Sequence, residues 1–295
     1  MCSKMSKLNR GVVSVTLQDD PKSLDGAQVA DRGGIREVKS AARTVQLLEL
    51  LAARRHQPAR LRDLSDAMGA PRSSVYALLK TLVDHGWVRT DTTGTFYSIG
   101  IQALLAGTTY LDLDPVLRIV QPQINDLSSM LDETIHYGRL EGTDVVYLAT
   151  HESRQYVRPF SRVGRRLPAF CTAMGKALLA EHSAVGENAL ERHLPAVLNP
   201  ITAHTIVDRE ALRADLADVR ARGYAIDREE NVVGIVCFAF TLDFGGPPTD
   251  AISCSVPVER MHEGRDSQVL EALRRTKLAI ERMAPVAVSS SNVWA

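Results

Sequence analysis

Several features that mark specialised protein classes are scarce in this chain. Aromatic residues make up only 5% of it, positive and negative side chains balance at 35 each, and no apolar run reaches the length of a membrane span. The N-terminus is basic but lacks the apolar core of a signal peptide. We therefore expect a cytoplasmic protein that makes no contact with a membrane.

Cysteine is also rare, and its spacing excludes the common metal and disulfide motifs. No two cysteines form a C-x-x-C pair, and the histidines do not stand at metal-ligand spacing. No metal site, cofactor or catalytic residue is therefore predicted. Reduced thiols are the simplest interpretation of the four cysteines, Cys2, Cys171, Cys237 and Cys254.

What is present is the composition of a globular protein of about two domains. Hydrophobic residues make up 45% of the 295 residues, which is enough for sizeable cores. The charge is uneven along the chain. Residues 39–100 hold nine Lys and Arg against five Asp and Glu, whereas the residues from 101 onward hold twenty against twenty-five. A basic segment before an acidic remainder fits one domain that meets phosphates and another that does not.

Residues 61–86 predict two short helices joined by a tight turn. Apolar residues recur at helical spacing in the first helix, Gly69 ends it, and Pro71 restarts the chain as a second helix. The second helix has an apolar stripe on one face and hydrogen-bond donors on the other. This is the helix-turn-helix pattern that enters a DNA major groove, and an ordinary helical hairpin is the alternative.

A strand pair after these helices favours DNA binding over the plain hairpin. Residues 87–89 and 96–98 read as two strands around a turn at 92–95, so the segment predicts a winged helix. Side chains near the start of its second helix are expected to reach bases and phosphates. The predicted DNA-contacting residues are Arg43, Arg72, Ser73, Ser74, Tyr76, Lys80 and Thr95.

Weaker patterns outline the rest of the chain. Ser40 is predicted to cap the first helix, whose buried stripe includes Val45. Ile101–Leu113 predicts an apolar helix, and Asp114 followed by Pro115 predicts the start of another, so that these two helices form a linker. The two ends of the chain lack sustained periodicity and are predicted to be flexible tails, over residues 1–37 and 285–295.

The remaining segment mixes helices with antiparallel-looking strands, which indicates an α+β domain. Its predicted strands cover residues 134–140, 145–148, 156–160, 237–242 and 251–256. Its predicted helices cover residues 172–180, 208–222 and 263–283. The predicted organisation is a winged helix-turn-helix over 38–100, linker helices over 101–131, and a second domain over 132–284.

Three stretches taken together resemble the IclR family of bacterial transcriptional regulators. They read PRSSVY from Pro71, SRVGRRLP running into CTAMGKA from Ser161 to Ala177, and RGYAIDREE from Arg222, with Gly234 and Cys237 beyond it. Winged helices occur in many families, so the second and third stretches make the likeness specific. It implies an N-terminal winged helix-turn-helix, a linker helix and a C-terminal GAF-like α/β effector domain, assembled as homodimers or homotetramers.

The resemblance also implies a site for a small effector. Thr172 can cap the helix that starts beside it, which leaves free amides that suit a small anion. Ser253 and Ser255 are two apart on a strand and face the same side. Val236 and Phe238 are expected to add apolar surface. The positions that match the family's ligand contacts are Ala173, Met174, Asp227, Cys237, Ser253 and Ser255. Each of them also fits an ordinary core, turn or strand position.

The predicted function is therefore an IclR-type regulator whose binding to operator DNA is modulated by a small organic acid. One recognition helix reads few base pairs, so a dimer on a pseudo-palindromic operator is expected, with Ile101–Leu113 in the dimer contact. Two alternatives stay open: an enzyme with an appended helix-turn-helix, and a DNA-binding scaffold that senses no ligand. Gly175 and Lys176 resemble part of a phosphate loop but lack its spacing.

Overall fold

The computed structural model describes residues 37–54, 57–159 and 162–288, and every structural statement below concerns those residues. Within them the chain divides into two compact units, with the boundary between Ala103 and Leu104. Almost all of the predicted N-terminal tail lies outside the described residues, as do residues 289–295 of the C-terminal one.

The first unit is a three-helix domain with a small antiparallel sheet in the strand order β1-β3-β2. Its elements are α1 Lys39–Ala53, β1 Ala59–Arg60, α2 Leu61–Met68, α3 Arg72–Asp84, β2 Val88–Thr90 and β3 Phe96–Ile99. One apolar cluster joins all of them, centred on side chains with no exposed surface, Leu47, Ala59, Leu64, Val75 and Leu79. The predicted winged helix-turn-helix is confirmed.

The turn between α2 and α3 follows from its sequence. Gly69 ends α2 in the left-handed conformation with φ of 55°, which glycine adopts without a steric cost. Pro71 then stands at the N-cap of α3, with its backbone extended, and the helix starts at Arg72. Because α3 buries Val75, Leu79 and Leu82, its other face is left to solvent.

Two details of α1 differ from the prediction. The helix begins at Lys39, with Val38 at the N-cap position and no side-chain cap, so Ser40 lies inside the helix. The carbonyl of Ser40 instead accepts a hydrogen bond from the hydroxyl of Thr44 at 2.8 Å. Val45 was expected in the buried stripe but is 56% exposed, because α1 presents only Leu47 and Leu51 fully to the core.

The second unit is built around a six-stranded antiparallel sheet with the order β6-β5-β4-β9-β8-β7. Its strands are β4 Thr134–Glu141, β5 Asp144–His151, β6 Arg166–Pro168, β7 Ala225–Arg228, β8 Ile235–Leu242 and β9 Asp250–Pro257. The helices from the linker onward are α4 Ile101–Leu113, α5 Pro115–Leu131, α6 Ala173–Val185, α7 Glu187–Glu191, α8 Arg209–Arg222 and α9 Arg265–Val288.

Both faces of this sheet are covered, which makes the unit a three-layer α/β domain. One face packs against α5 and α9 through residues such as Ile124, Ile252 and Leu273. The other packs against α6 and α8 through residues such as Leu178 and Ala239. An N-terminal winged helix followed by a GAF-like α/β domain confirms the predicted fold class.

Two predicted elements of the second unit are wrong in part. Residues 156–159 form no strand, and Tyr156 is 86% exposed. Position 160 lies outside the described residues. The edge of β5 is instead paired with β6, where Val145 stands opposite Leu167. At the C-terminus, α9 continues to Val288, so the predicted tail from residue 285 starts within a helix.

The linker helices differ from each other in burial. Asp114 caps α5 as predicted, because its carboxylate accepts from the amides of Val116 and Leu117 at 2.9 and 3.1 Å. One face of α5 is buried along most of its length. By contrast, none of the residues of α4 is buried, and its apolar side chains Ile101, Leu104, Leu105, Tyr110 and Leu113 are each more than half exposed.

Candidate functional site

The exposed face of α3 carries the residues predicted to contact DNA. Arg72, Ser73 and Tyr76 are exposed, and Ser74 is half-buried beside Val75. Lys80 is exposed one turn later and forms an ion pair with Asp84 at 3.4 Å. Arg43 is exposed on α1. A helix that holds its apolar stripe inward and polar side chains outward near its N-terminus has the form that reads a major groove.

The turn between β2 and β3 is fixed by one aspartate. The carboxylate of Asp91 accepts hydrogen bonds from the amides of Thr95 and Phe96, both at 2.8 Å, and from the hydroxyl of Thr93. The amide of Phe96, followed by the Thr93 hydroxyl, lowers the pKa of Asp91 to about 2. The exposed Thr95 is thereby held at the tip of the wing.

The second candidate site begins at the N-terminus of α6. Thr172 caps this helix as predicted, since its hydroxyl accepts from the amide of Gly175 at 3.2 Å. That bond occupies the amide of Gly175, so this amide is not available to an anion. The amides of Ala173 and Met174 come first in the helix and have no partner within it, which leaves them for an anion.

A row of polar side chains crosses the sheet on the face that α6 covers. Paired residues of antiparallel strands point to the same side, and here Asp227 pairs with Cys237 and Cys237 pairs with Ser255. The Cys237 sulfur lies 3.1 Å from the Ser255 hydroxyl. Ser253 stands two residues before Ser255 on β9. Asp227, Ser253 and Ser255 are buried, and Cys237 is partly buried.

One part of the predicted site faces the wrong way. Val236 and Phe238 were expected to add apolar surface to the ligand. They alternate with Cys237 on β8 and pack with α5 and α9 on the opposite face of the sheet. The strand period of two separates them from the polar row. Among the predicted apolar residues, Met174 is on the side of this row, in the cluster that α6 forms with the sheet.

The structure adds side chains that the sequence reasoning missed. His136 on β4 pairs with Ser253 on β9, and its ring packs edge-on against Tyr147 at 5.1 Å between centroids. Its Nδ1 lies 3.0 Å from the Thr150 hydroxyl. Arg165 is also buried here, close enough for its charge to act on both rings. Strand alternation around His136 was the one sequence signal that pointed to this group.

Burial sets the protonation of this group. Burial, followed by the charge of Arg165, lowers the pKa of His136 to about 3, so the imidazole is neutral at neutral pH. Burial, followed by the nearby Glu230 carboxylate, raises the pKa of Asp227 to about 7. Burial raises the pKa of the Cys171 thiol to about 12, and a protonated thiol is not the form of a cysteine nucleophile.

Behind the polar row lies a buried group of charges. The Lys176 ammonium, 1% exposed, contacts the carboxylates of Glu230 and Asp215, the latter at 2.9 Å. The backbone amide of Glu230 donates to Asp227 at 2.7 Å. The Asn231 amide donates to the Cys171 sulfur at 3.7 Å. These bonds connect α6, α8 and the segment after β7, and they fix the end of the row at which Asp227 stands.

A separate cavity is present in the α/β domain. It has a volume of about 250 Å³, lies at the C-terminal end of α5 and is lined by Ser128, Ser129, Asp132, His151, Glu152 and Arg154, none of which was predicted to bind the effector. Across the described part of the chain, no group of three or more His, Cys, Asp or Glu side chains is arranged to hold a metal ion. No helix there is long and apolar enough to cross a membrane.

A winged helix-turn-helix followed by an α/β domain defines a class of protein, the helix-turn-helix transcriptional regulators with a second domain. Comparison with known families specifies the family. Residues 40–92 match the family described as IclR helix-turn-helix domain, and residues 108–282 match the one described as Bacterial transcriptional regulator IclR C-terminal. The chain belongs to the IclR family.

Curated relatives are similar over most of their length. The HTH-type transcriptional regulator Rv1719 of Mycobacterium tuberculosis is 35% identical over 82% of this chain and 89% of its own. The transcriptional repressor IclR of Escherichia coli is 30% identical over 85% of this chain and 93% of its own. These relatives are named as regulators of transcription, and the chain is therefore a regulator of this type.

Solved structures share the fold. A transcriptional regulator from Rhodococcus sp. RHA1 superposes with a TM-score of 0.71 at 27% identity, covering 85% of this chain and 99% of that one. An IclR homologue from Microbacterium hydrocarbonoxydans, solved with 4-hydroxybenzoate, gives a TM-score of 0.68 at 24% identity, covering 82% and 98%. The second likeness establishes the fold alone.

Proposed function

We propose that this regulator binds operator DNA through its winged helix and that a small organic acid, bound under the N-terminus of α6, changes that binding. The observation that carries the proposal is the meeting of two features at one place. The free amides that begin α6 suit a carboxylate, and the polar row of Cys237, Ser253 and Ser255 lies on the sheet face below.

The chemistry of this group favours an anion with a further polar atom. The amides of Ala173 and Met174 and the positive charge of Arg165 attract a carboxylate. The hydroxyls of Ser253 and Ser255 offer hydrogen bonds to the rest of a small ligand. Asp227 stands at the far end, where its raised pKa lets it carry a proton near neutral pH and donate to a ligand oxygen.

On the DNA side, we place the contacts at Arg43, Arg72, Ser73, Ser74, Tyr76, Lys80 and Thr95. All of them except the half-buried Ser74 are exposed, and their positions on α3, on α1 and at the wing tip support this assignment. Phosphate contacts from such side chains fix the register on the duplex, and contacts to base edges read the sequence.

The exposed apolar side of α4 supports the proposed dimer. Leu104, Leu105 and Leu113 are each more than half exposed, and a run of this kind in a helix between two units is suited to burial against a second copy. Light scattering on the full chain at micromolar concentration tests this point. A dimer or tetramer is expected, and a monomer would contradict it.

The proposed effector site is tested by titrating the full chain with small carboxylates, including glyoxylate, pyruvate and 4-hydroxybenzoate, while the melting temperature is followed. A ligand present at about 100 times its Kd stabilises the folded state by about 2.7 kcal/mol. A saturable rise in melting temperature with at least one carboxylate is expected, and no rise with the matching alcohols. If no acid in a broad panel stabilises the chain, the proposed effector class is wrong.

A further inference from the structure

Arg139 on β4 connects the sheet to the two linker helices. Its guanidinium forms a two-point pair with the buried carboxylate of Asp250 on β9, with both N–O distances 2.7 Å. Its remaining nitrogen donates to the Tyr110 hydroxyl on α4 at 3.0 Å and lies 2.9 Å from the carboxylate of Asp114. The planar, rigid fork of arginine is what allows one side chain to meet all of these partners.

Asp114 stands at the joint between the two linker helices. One of its oxygens caps α5, and the other faces Arg139. Asp114 and Asp250 are both more than nine-tenths buried, so their pairing with Arg139 is shielded from water. The guanidinium therefore contacts both linker helices, α4 through Tyr110 and α5 through the residue that caps it.

Tyr110 is the residue of α4 that reaches this guanidinium. Within one chain no residue of α4 is buried, so few contacts fix the helix against its own α/β domain, and the hydrogen bond in its last turn is one of them. The side chain of Tyr110 is 53% exposed, so Tyr110→Phe removes the hydroxyl without disturbing a packed core.

The same strand leads directly to the candidate effector site. Gly138 precedes Arg139, and a Cβ atom added to it would lie 3.1 Å from Cε of Met174 and 2.8 Å from Cγ1 of Val145. The Met174 side chain thus rests against the backbone of β4. The pairing of β4 with β5 shifts register between Tyr137 and Gly138, which marks a bulge at this point.

We propose that Arg139 and Tyr110 are positioning residues. When Met174 is displaced, the backbone of β4 shifts at the Gly138 bulge, and Arg139 and Tyr110 convert that shift into a change in the direction of α4. The inference rests on the proposed function, because it supplies the route by which an acid bound at the start of α6 reaches the linker. Arg139 touches neither ligand nor DNA in this arrangement. It acts by holding Tyr110 and Asp114 in one geometry relative to β9.

The test needs neither the effector nor the operator. Hydrogen exchange of the α4 amides is measured by mass spectrometry on the full chain in four forms: unsubstituted, Gly138→Ala, Tyr110→Phe, and the two together. The added methyl group of Gly138→Ala would lie 3.1 Å from Met174 Cε, 2.8 Å from Val145 Cγ1 and 3.0 Å from the Val146 carbonyl oxygen, so it displaces Met174 together with the β5 side of the bulge. We expect each single change to speed exchange across α4 by about threefold or more, and the double variant to be no faster than the faster single one.

Tyr156→Phe is the matched control, because it removes the hydroxyl of another exposed tyrosine, and α4 should then exchange as in the unsubstituted chain. Exchange across α9 reports whether the α/β domain stays folded. If it does not, Met174→Phe, which enlarges the side chain that rests against Gly138, replaces Gly138→Ala. Additive effects, or an unchanged α4 in the crowded variant, would overturn the proposal. A chain that binds no carboxylate would instead contradict the proposed function while leaving this result intact.

Discussion

The sulfur of Cys237 and the hydroxyl of Ser255 lie 3.1 Å apart on neighbouring strands β8 and β9. This contact places a small, polarisable group and a hydroxyl side by side on the sheet face below α6. Asp227 continues the same row on β7. A row of this kind under a helix N-terminus offers a ligand polar contacts on one side and backbone amides on the other, and the predictions below test it.

Replacing both serines should remove the response to the effector. Ser253→Ala with Ser255→Ala deletes two buried hydroxyls that face the start of α6, so the stabilisation of the chain by carboxylates should disappear. Affinity for DNA should stay nearly the same, because neither serine belongs to the winged helix. Thermal melting with and without acid, together with DNA titration, measures both properties.

The control for this pair is Ser267→Ala on the exposed surface of α9, which should keep the full ligand response. Loss of DNA binding in a folded double variant, or an unchanged ligand response, would show that the effector site lies elsewhere in the α/β domain.

Asp227 should make the stability of the chain depend on pH. Its pKa rises from 3.8 to about 7 on folding, so the folded state holds more protons than the unfolded state between these values. Stability therefore falls as pH rises through this window. Asp227→Asn has no charge to bury, so its free energy of unfolding should exceed that of the unsubstituted chain. This margin should grow by on the order of 2 kcal/mol from pH 5 to 7.

Urea unfolding at pH 5, 6, 7 and 8 measures this margin, which should level off above pH 7. Asp218→Asn, an exposed change on α8, is the control and should show no such growth. His136 acts in the opposite direction, because its lowered pKa costs stability as the pH falls below 6.5. Since both chains compared keep His136, this effect cancels in the margin at each pH. A margin that is constant with pH would contradict the assignment.

Lys176 should be essential to the fold of the α/β domain. Lys176→Met leaves the carboxylates of Glu230 and Asp215 facing each other without a cation. Breaking a buried pair in this way costs about 3–5 kcal/mol of unfolding free energy. Part of the loss should return at lower pH, where the carboxyl of Glu230 takes up a proton. Denaturant unfolding at two pH values checks both effects, and a loss below 1 kcal/mol would refute the prediction.

Arg72 should contribute directly to DNA recognition. Arg72→Ala is expected to weaken binding by about 1–3 kcal/mol if the side chain contacts a base edge. The probe is a duplex that the full chain itself selects from random DNA, titrated at fixed salt. Arg275→Ala on α9 removes the same charge far along the chain and should have little effect. Equal affinity of Arg72→Ala and the unsubstituted chain would remove Arg72 from the interface.

Local patterns were enough to predict most elements of the fold. Gly69, the cap at Asp114 and the cap at Thr172 each act within one turn of chain, and the structure has all three in place. Local patterns could not show whether residues 156–159 form a strand. Whether an extended segment becomes a strand depends on a free sheet edge, and that edge is taken by β6, the next segment along the chain.

The candidate site shows the same limit more clearly. His136 and Ser253 are paired across β4 and β9 although more than a hundred residues separate them in sequence. No local signal could bring Arg165 or Tyr147 to the same face. Strand alternation separates Ser253 and Ser255 from their neighbours, and the same alternation turns Val236 and Phe238 away from Cys237 to the other face, against the prediction.

One measurement tests the central claim most directly: the affinity of the full chain for its selected duplex, with and without the carboxylate that raises its melting temperature. Fluorescence anisotropy at several salt concentrations gives this affinity and its electrostatic part. A coupling of 1–3 kcal/mol corresponds to a change of about 5- to 150-fold, and we expect a change in this range. A saturating carboxylate that leaves the affinity for DNA unchanged would contradict the account.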